Sequence, residues 1–577
     1  MNITQQENKT PKTVGKWAKF RTEMSVSFPS PFKEDKDILA DGIRLAVQEL
    51  NKLKPPKNSG ASFLGTNPAL TIDFENVKDS VLQHQMSTST DVIKQVIKVF
   101  EGMPNWGHPL TMNNVNPQAN TAAIVAAMLT EIFAPNILEG EYAWNTHQAE
   151  LESGGILANL VGWESKKAGC VYTYGGSGCW TYHLKYALTK VLPDSRYKGI
   201  RTDAKVICSQ QAHYTMLNST DWMGLGMNNI IKIETDIESN AMDMGDLEKV
   251  LKDCTANNIP VASIVCTMGT TDACAFDDVE AVRKLMDKYP NPKGYGKALL
   301  YCDSVIGWSW IVFKDYDFKL NPLGFSEEVL PYLERNYNAV KGIFYADCFG
   351  VDFHKSGFSP YISSTFVYKD AQEFELLLSR EQSVYLQPRS PYNPLNYTLE
   401  VSRAATGSMV GWATLKFFGY EGFQSILGGI LENKVHLKKQ IEKHAEMVCV
   451  NAADDGFVTL LRIYPKAVDA TTQYVRELCN SDSREELIEH NEFTHAIGDK
   501  LFEWSRSGKK INGQFTPYLS FTTGFRTAEY NRNAKDKEAV VYAIKIFPLN
   551  VNITPEIMNH VLDCIVAARD EVMMKNN

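Results

Sequence analysis

The chain of 577 residues predicts an α/β fold with a large, mostly parallel sheet, and three observations carry that expectation. The short apolar runs KVICS, NIIKIE, VASIVCT, ALLYCDS and STFVYK alternate with helical patterns such as MGDLEKVLKDCTANN and DDVEAVRKLMDKY. Strands alternating with helices of this length imply parallel strands joined by crossovers. Polar residues able to do chemistry stand just past several of these runs, where an open α/β sheet places its ligands. Apolar residues make up 44% and charged residues 22% of the chain, an ordinary globular balance.

In chain order, the first residues, MNITQQENKTPKTVGKW, are polar and lack the apolar core of a secretory signal. DILADGIRLAVQELNKL has apolar spacing near 3.6 and predicts an amphipathic helix. KPPKNSGASFLGTNP is a loop by its Pro, Gly and Asn content. TAAIVAAMLTEIF and ELESGGILANLVGWES predict buried helices, followed by the strand–helix alternation. Asp277 is expected to cap DDVEAVRKLMDKY. The stretch from Lys314 to Lys341 looks like an irregular insertion. Beyond residue 400, a long helix through GWATLKFFGYEGFQSILGGILENKVHLKKQIEKHAEMV precedes the strands TLLRIYP and YLSFTTGFR and a last helix, PEIMNHVLDCIVAARDEV. The expected organisation is an N-terminal helical segment over 1–110, a large α/β domain over 111–400, and a small α+β domain over 401–577.

A net charge of −9 gives no basic footprint, so nucleic acid is not an expected partner. No apolar run reaches the roughly 18 residues that suggest a membrane span, and a cytoplasmic protein is the default. The eleven cysteines lie singly and without zinc spacing, which reads as reduced core thiols and no metal site.

The chemistry lies after the strands. His354-Lys355 sits between the apolar stretch GIFYADCFGVDF and a Gly/Ser/Pro turn, a setting for a buried lysine. Covalent capture of an aldehyde needs a neutral amine, which burial favours. Asp303 ends ALLYC; a carboxylate there needs a cation, such as a protonated pyridine nitrogen, although a helix cap or buried ion pair would also satisfy it. Gly175-Gly176-Ser177-Gly178 opens a helical pattern and offers backbone N–H groups to a phosphate; alone it reads equally as a loop. His213 follows KVIC and could stack on a flat ring and move a proton, or be a structural histidine. Thr270 and Thr271 offer hydroxyls, or are ordinary turn residues. A lysine, an acid, a base and a phosphate cradle together fit pyridoxal 5'-phosphate.

These pieces, TYGGSG, SQQAH, CTMGTTDACAFDDVEAV, YCDSVIGW and DFHKSGFSPY, in this order, resemble the group II pyridoxal-phosphate-dependent amino acid decarboxylases, the family of the glutamate, aromatic amino acid, tyrosine and histidine enzymes. NWGHPLTMNNVNPQANTAAIVAAML is similar to that family's active-site access segment, and TLEVSRAATGSMVGWATLKFFGYEGF to the segment carrying its arginine, here Arg403. The match covers about residues 100 to 425. It implies a transferase-like architecture of fold type I and a homodimer with its site at the subunit interface. Lys355 would tether the cofactor, Asp303 would hold its ring nitrogen and His213 would be the stacking base. Gly176, Ser177 and His354 would hold the phosphate, with Thr271 supporting cofactor or substrate. A mobile loop tyrosine, in that family often from the neighbouring subunit, would return a proton; SVYLQPRSPYNPLNYTLE offers Tyr385, Tyr392 and Tyr397, and spacing to Arg403 favours Tyr392.

The sequence departs from that pattern at Ser304, where the family has alanine, and at Asp352-Phe353, where it has Asn-Pro. The turn SGFSPYISS is closer to bacterial tyrosine decarboxylases and faintly to sphingosine-phosphate lyases. The implied reaction is decarboxylation of an L-amino acid to an amine; a carbon–carbon lyase, an aldehyde synthase and a non-catalytic relative are the alternatives. Asn113, Asn114, Trp106 and His108 are candidates to line the side-chain pocket, and Arg462 reads as a structural strand residue or a carboxylate ligand.

Overall fold

The computed structural model describes residues 15–25, 27–56, 60–65, 72–200, 203–380, 390–533 and 535–576. They fall into two compact units, Met1–Asn105 with Arg506–Gly508, and Trp106–Ser505 with Lys509–Asn577.

In the first unit, the helix Ile38–Leu53 begins at Asp37, whose side chain accepts from the Leu39 and Ala40 N–H groups. The helix Ser89–Val99 begins at Thr88, which accepts from Asp91 N–H. Each cap satisfies N–H groups that have no partner within the helix. The two helices meet where Gly42 faces Ile93.

The second unit holds a seven-stranded sheet of β1 Gly169–Thr173, β2 Lys205–Ser209, β3 Ile230–Ile233, β4 Val261–Thr267, β5 Leu299–Asp303, β6 Cys348–Asp352 and β7 Ser364–Tyr368. Their spatial order is β1-β7-β6-β5-β4-β2-β3. The pairs from β6 through β3 are parallel, and β7 runs against both of its neighbours. Every residue of β4 to β7 is buried. Burial on both faces explains why these strands read as continuous apolar runs instead of alternating ones. β1 and β6 escape a periodicity reading for the same reason: five apolar-rich residues fit a buried strand and a buried loop equally.

A four-stranded antiparallel sheet follows, in the spatial order Ser520–Thr527, Val540–Ile546, Thr459–Ile463, Met447–Cys449. The helix Thr406–Ile441 is interrupted at Gly419, whose φ of +54° breaks the helical path. The last helix is Pro555–Asn576.

Three local expectations are corrected. The helix Thr121–Phe133 is not buried: Ile124, Val125, Leu129 and Phe133 face outward. The stretch 314–341 contains the helix Leu330–Val340. The helix Val279–Lys288 is capped by Asp278, which accepts from Ala281 N–H. Asp277 instead lies inside the fold, accepting from Met242 and Thr267 N–H, and burial pushes its carboxyl up to about 6. All eleven cysteines are unpaired, and nine of them are buried. Among the described residues no helix is long and apolar enough to cross a membrane.

Candidate active site

Strand register assembles the site. Thr267 pairs with Asp303, and Asp303 with Gly350, across β4, β5 and β6. Asp352 stands two residues beyond Gly350, so with period 2 it shares the face of Asp303. Gly350 keeps that face open: a Cβ there would lie 2.5 Å from the Tyr301 hydroxyl.

Asp303 is 4% exposed. Its Oδ2 accepts from Trp180 Nε1 at 2.8 Å, and its Oδ1 has no hydrogen-bond partner. Burial dominates and pushes the carboxyl above its usual range; the Trp180 N–H and the nearby Lys355 and His213 offset this in part. A buried acceptor oxygen left over beside a lysine needs a donor. Ser304, beside it, donates to Gly350 O at 2.6 Å and is satisfied within the sheet.

Lys355 lies in the turn after β6. Its Nζ is 3.0 Å from Asp352 Oδ2, and His354 Nε2 is 3.5 Å from the same oxygen. Ser364 Oγ donates to Asp352 Oδ1 at 2.6 Å. Burial would lower the Lys355 amine, but Asp352 and then Asp303 outweigh it and hold it above its ordinary value. For Asp352, burial would raise the carboxyl, and Lys355, His354 and Ser364 together hold it below. His354 is lowered, chiefly by burial.

The cradle forms where β1 gives way to the helix Gly176–Val191. Gly175, at φ +99°, makes the turn, and no side chain caps the helix. A Cβ on Gly176 would stand 3.3 Å from Asp352 Oδ2, so glycine lets this N-terminus close on the lysine's turn. Ser177 is exposed in the first turn.

His213 follows β2. Its Nδ1 accepts from Thr215 N–H at 3.2 Å and lies 2.7 Å from Thr215 Oγ1, which assigns the neutral ring's proton to Nε2. Burial lowers its basicity, Asp303 opposing and Lys355 adding to the effect. His213, Thr271, Gln210 and Phe525 line a cavity of about 350 Å3. The two threonines have separate fates. Thr271 faces this cavity, whereas Thr270 is buried and closes its own turn, accepting from Ala275 N–H at 3.0 Å. A larger cavity, of about 790 Å3, is lined by Val161, Asp277, Lys314 and Tyr345 and includes none of Lys355, Asp303 or His213.

The structure thus brings Lys355, Asp303, His213 and His354 into one electrostatic cluster, with Gly176 against it and Thr271 beside His213. Tyr392, expected as proton donor, is not brought there within one chain: it is half-buried, and its hydroxyl donates to Glu150 Oε1 at 2.6 Å, within a network that includes Arg403. Tyr397 is buried beside it, and Tyr385 lies outside the described residues. Arg462 is wholly buried in the small sheet, paired with Glu477 at 2.8 Å. His108 is lowered to about 4 by burial, and the Trp106 and His108 carbonyls accept from Asn550. Asn114 lies 3.4 Å from Ser520 Oγ.

Three neighbours of the cluster are not apparent from the sequence pattern. Trp180 and Asp352 are described above. Tyr361 tilts over His354 at 4.0 Å between ring centroids and donates to Asn116 Oδ1 at 3.1 Å. Only the unusual acid two residues before His354 carried a signal in the sequence.

The sequence model of the pyridoxal-dependent decarboxylase conserved domain matches residues 74–299. This chain is 23% identical over 375 residues to the L-tyrosine decarboxylase of Enterococcus faecalis, covering 56% of this chain and 59% of that protein. It is 23% identical over 323 residues to the L-2,4-diaminobutyrate decarboxylase of Acinetobacter baumannii, covering 55% of each. The chain therefore spans less than two thirds of these relatives' length. The crystal structure of Oryza sativa TDC with PLP and tryptamine superposes with a TM-score of 0.73 at 15% identity, over 94% of this chain and 99% of that one. At that identity the likeness speaks for the fold, which is of fold type I.

The residues of the site fit pyridoxal phosphate, the group after which the matching domain is described, on the structure's own terms. Asp303 Oδ1 is an unpartnered buried acceptor, Lys355 a half-buried amine beside it, and the uncapped helix start at Gly176 a place for an anion.

Proposed function

We propose that this protein decarboxylates an L-amino acid to the corresponding amine and CO2. The observation that carries the reading is the convergence of Lys355 and Asp303 in one buried charge cluster, the acid keeping one oxygen without a donor. When bound, the cofactor supplies an electron sink for the pair left behind as the carboxylate departs. The chain's residues do the rest. Lys355 would be the residue that tethers the cofactor. Asp303 Oδ1, without a donor in the chain, would accept from a protonated ring nitrogen. The N–H groups at Gly176 and Ser177 would hold the phosphate, with His354 beside them. His213, its orientation fixed by Thr215, would cover the ring and hold a proton at Nε2. Tyr392, tied to Glu150 within its own chain, orders the segment that reaches Arg403.

The relatives that act on tyrosine and diaminobutyrate set the first substrates to try. The purified protein is screened against the L-amino acids for CO2 release, with the product identified as amine or aldehyde. Amine in step with CO2 supports the reading. Aldehyde with ammonia redirects it to an aldehyde synthase, and cleavage without CO2 to a carbon–carbon lyase.

A homodimer is part of the proposal. Exposed Ile124, Val125, Leu129, Phe133 and Trp144 favour burial against a second copy of the chain. Light scattering coupled to gel filtration tests it; a monomer at micromolar concentration would remove it.

A further inference from the structure

We propose that Asp352 is a positioning residue that governs covalent capture of the cofactor: it holds Lys355 as a paired ammonium until capture, then turns to His354 for its counter-charge. The inference rests on the reading of Lys355 as the tethering lysine.

Asp352 closes β6 and is 1% exposed. Ser364 Oγ fixes its Oδ1 at 2.6 Å, which leaves Oδ2 facing the site. That oxygen is 3.0 Å from Lys355 Nζ and 3.5 Å from His354 Nε2, and it lies against the helix start at Gly176. One oxygen therefore faces the tethering amine, the histidine and the phosphate cradle. Asp303 plays another part, since its free oxygen is reserved for the ring.

Capture needs the neutral amine. The ammonium first loses a proton; Nζ then bonds to the aldehyde carbon, and the aldehyde oxygen leaves as water with the two remaining amine hydrogens. An anion 3.0 Å away opposes the first of these events. The other groups facing Lys355 are Asp303 at the end of β5, His213 after β2, Tyr361 before β7 and Cys179 on the helix behind. Asp352 is the one in direct ion-pair contact with the amine. Once Nζ is committed to the cofactor, a buried carboxylate still requires a partner, and His354 Nε2 is in place to become one.

Cofactor-stripped wild-type and D352N full-length protein are loaded with pyridoxal phosphate over a range of pH. Loading is followed by the absorbance band at about 420 nm and by borohydride trapping on Lys355, read by mass spectrometry. In D352N the pH midpoint of the loading rate should fall by about one unit, and loading at pH 7 should be roughly tenfold faster. A purely structural role would lower the melting temperature and leave the midpoint in place, and an unchanged midpoint overturns the proposal. Should D352N not fold, K355M and K355M/D352N decide. A double variant melting above K355M supports the pairing, because both charges have gone; one melting below it overturns the pairing. No trappable band in the wild type overturns the cofactor reading and this proposal together. A shifted midpoint without CO2 release refutes only decarboxylation.

Discussion

Two charge clusters in this chain, one wholly buried and one largely so, differ in one respect. In the small sheet, Arg462 donates to the Tyr464 hydroxyl, Asn491 and the Tyr542 carbonyl as well as Glu477, and Glu477 also accepts from His490 and Gln473. Both oxygens of its acid are engaged. At the rim of the seven-stranded sheet, Asp303 keeps one oxygen without a donor, and Lys355 is held by an ion pair to Asp352. Burial costs a charge the same in both places. The first cluster offsets that cost within the chain. The second leaves part of it open, which is what a site made for another molecule requires. Satisfaction, and not burial, separates the structural ions from the functional ones.

The sharpest way to break this comparison is K355A. It should abolish the trappable cofactor band and lower turnover on the order of 10^3-fold or more, while the circular dichroism spectrum stays that of the wild type. Turnover near the wild-type level would remove the tethering role.

R462M attacks the satisfied cluster. Removing one partner leaves Glu477 buried with too little positive charge, at a cost of about 3–5 kcal/mol in stability. Chemical denaturation should show the loss, and the surviving folded enzyme should keep its KM. A selective rise in KM without a loss of stability would instead make Arg462 a substrate ligand.

D303N should do the reverse. Turnover is expected to fall roughly 10^2-fold, since a preorganised charge facing the ring is lost. The cofactor-stripped protein should nevertheless be at least as stable as wild type at pH 7. The sign follows from the raised carboxyl. A folded-state acid above its unfolded value binds its proton more tightly in the folded state, so its contribution is lost as pH rises between the two values. The advantage of D303N should appear above the ordinary aspartate range and vanish below it. Melting temperatures at pH 4 and pH 7 check this, and lower stability of D303N at pH 7 would show Asp303 to be a satisfied structural ion.

The smallest effect is expected of Y392F. Losing one hydrogen bond to Glu150 should cost about 1–2 kcal/mol and leave kcat within a few-fold. A large fall in kcat at constant melting temperature would restore the tyrosine to proton transfer.

Much of the site was legible along the chain because each polar residue follows an apolar run that could only be a buried strand. Asp303 after ALLYC, His213 after KVIC and Thr271 after VASIVCT were placed by that logic, and the glycines before WTYHLKYALTKVL by the turn that opens a helix. The errors have a common origin. Asp277 and Asp278 are adjacent and equally suited to cap a helix, and only the hydrogen bonds from Met242 and Thr267 draw one of them inward. The apolar Thr121–Phe133 has the composition of a core helix, yet one face of it is exposed. Tyr392 is a separate case: within one chain its hydroxyl is held by Glu150, 242 residues earlier, a contact that spacing along the chain does not announce.

The amino-acid order by itself determined which residue types stand at strand ends, and therefore the alternating α/β layout and the inventory of lysine, acids, histidine and phosphate-binding glycines. Local periodicity and turn chemistry are short-range properties and are written in consecutive residues. Only the tertiary structure decided that Trp180 would bind one oxygen of Asp303, that Asp352 would face Lys355, and that Tyr392 would be anchored elsewhere. Those outcomes depend on strand order and on contacts between residues far apart in the chain, where desolvation and pairing act on whatever the fold brings together.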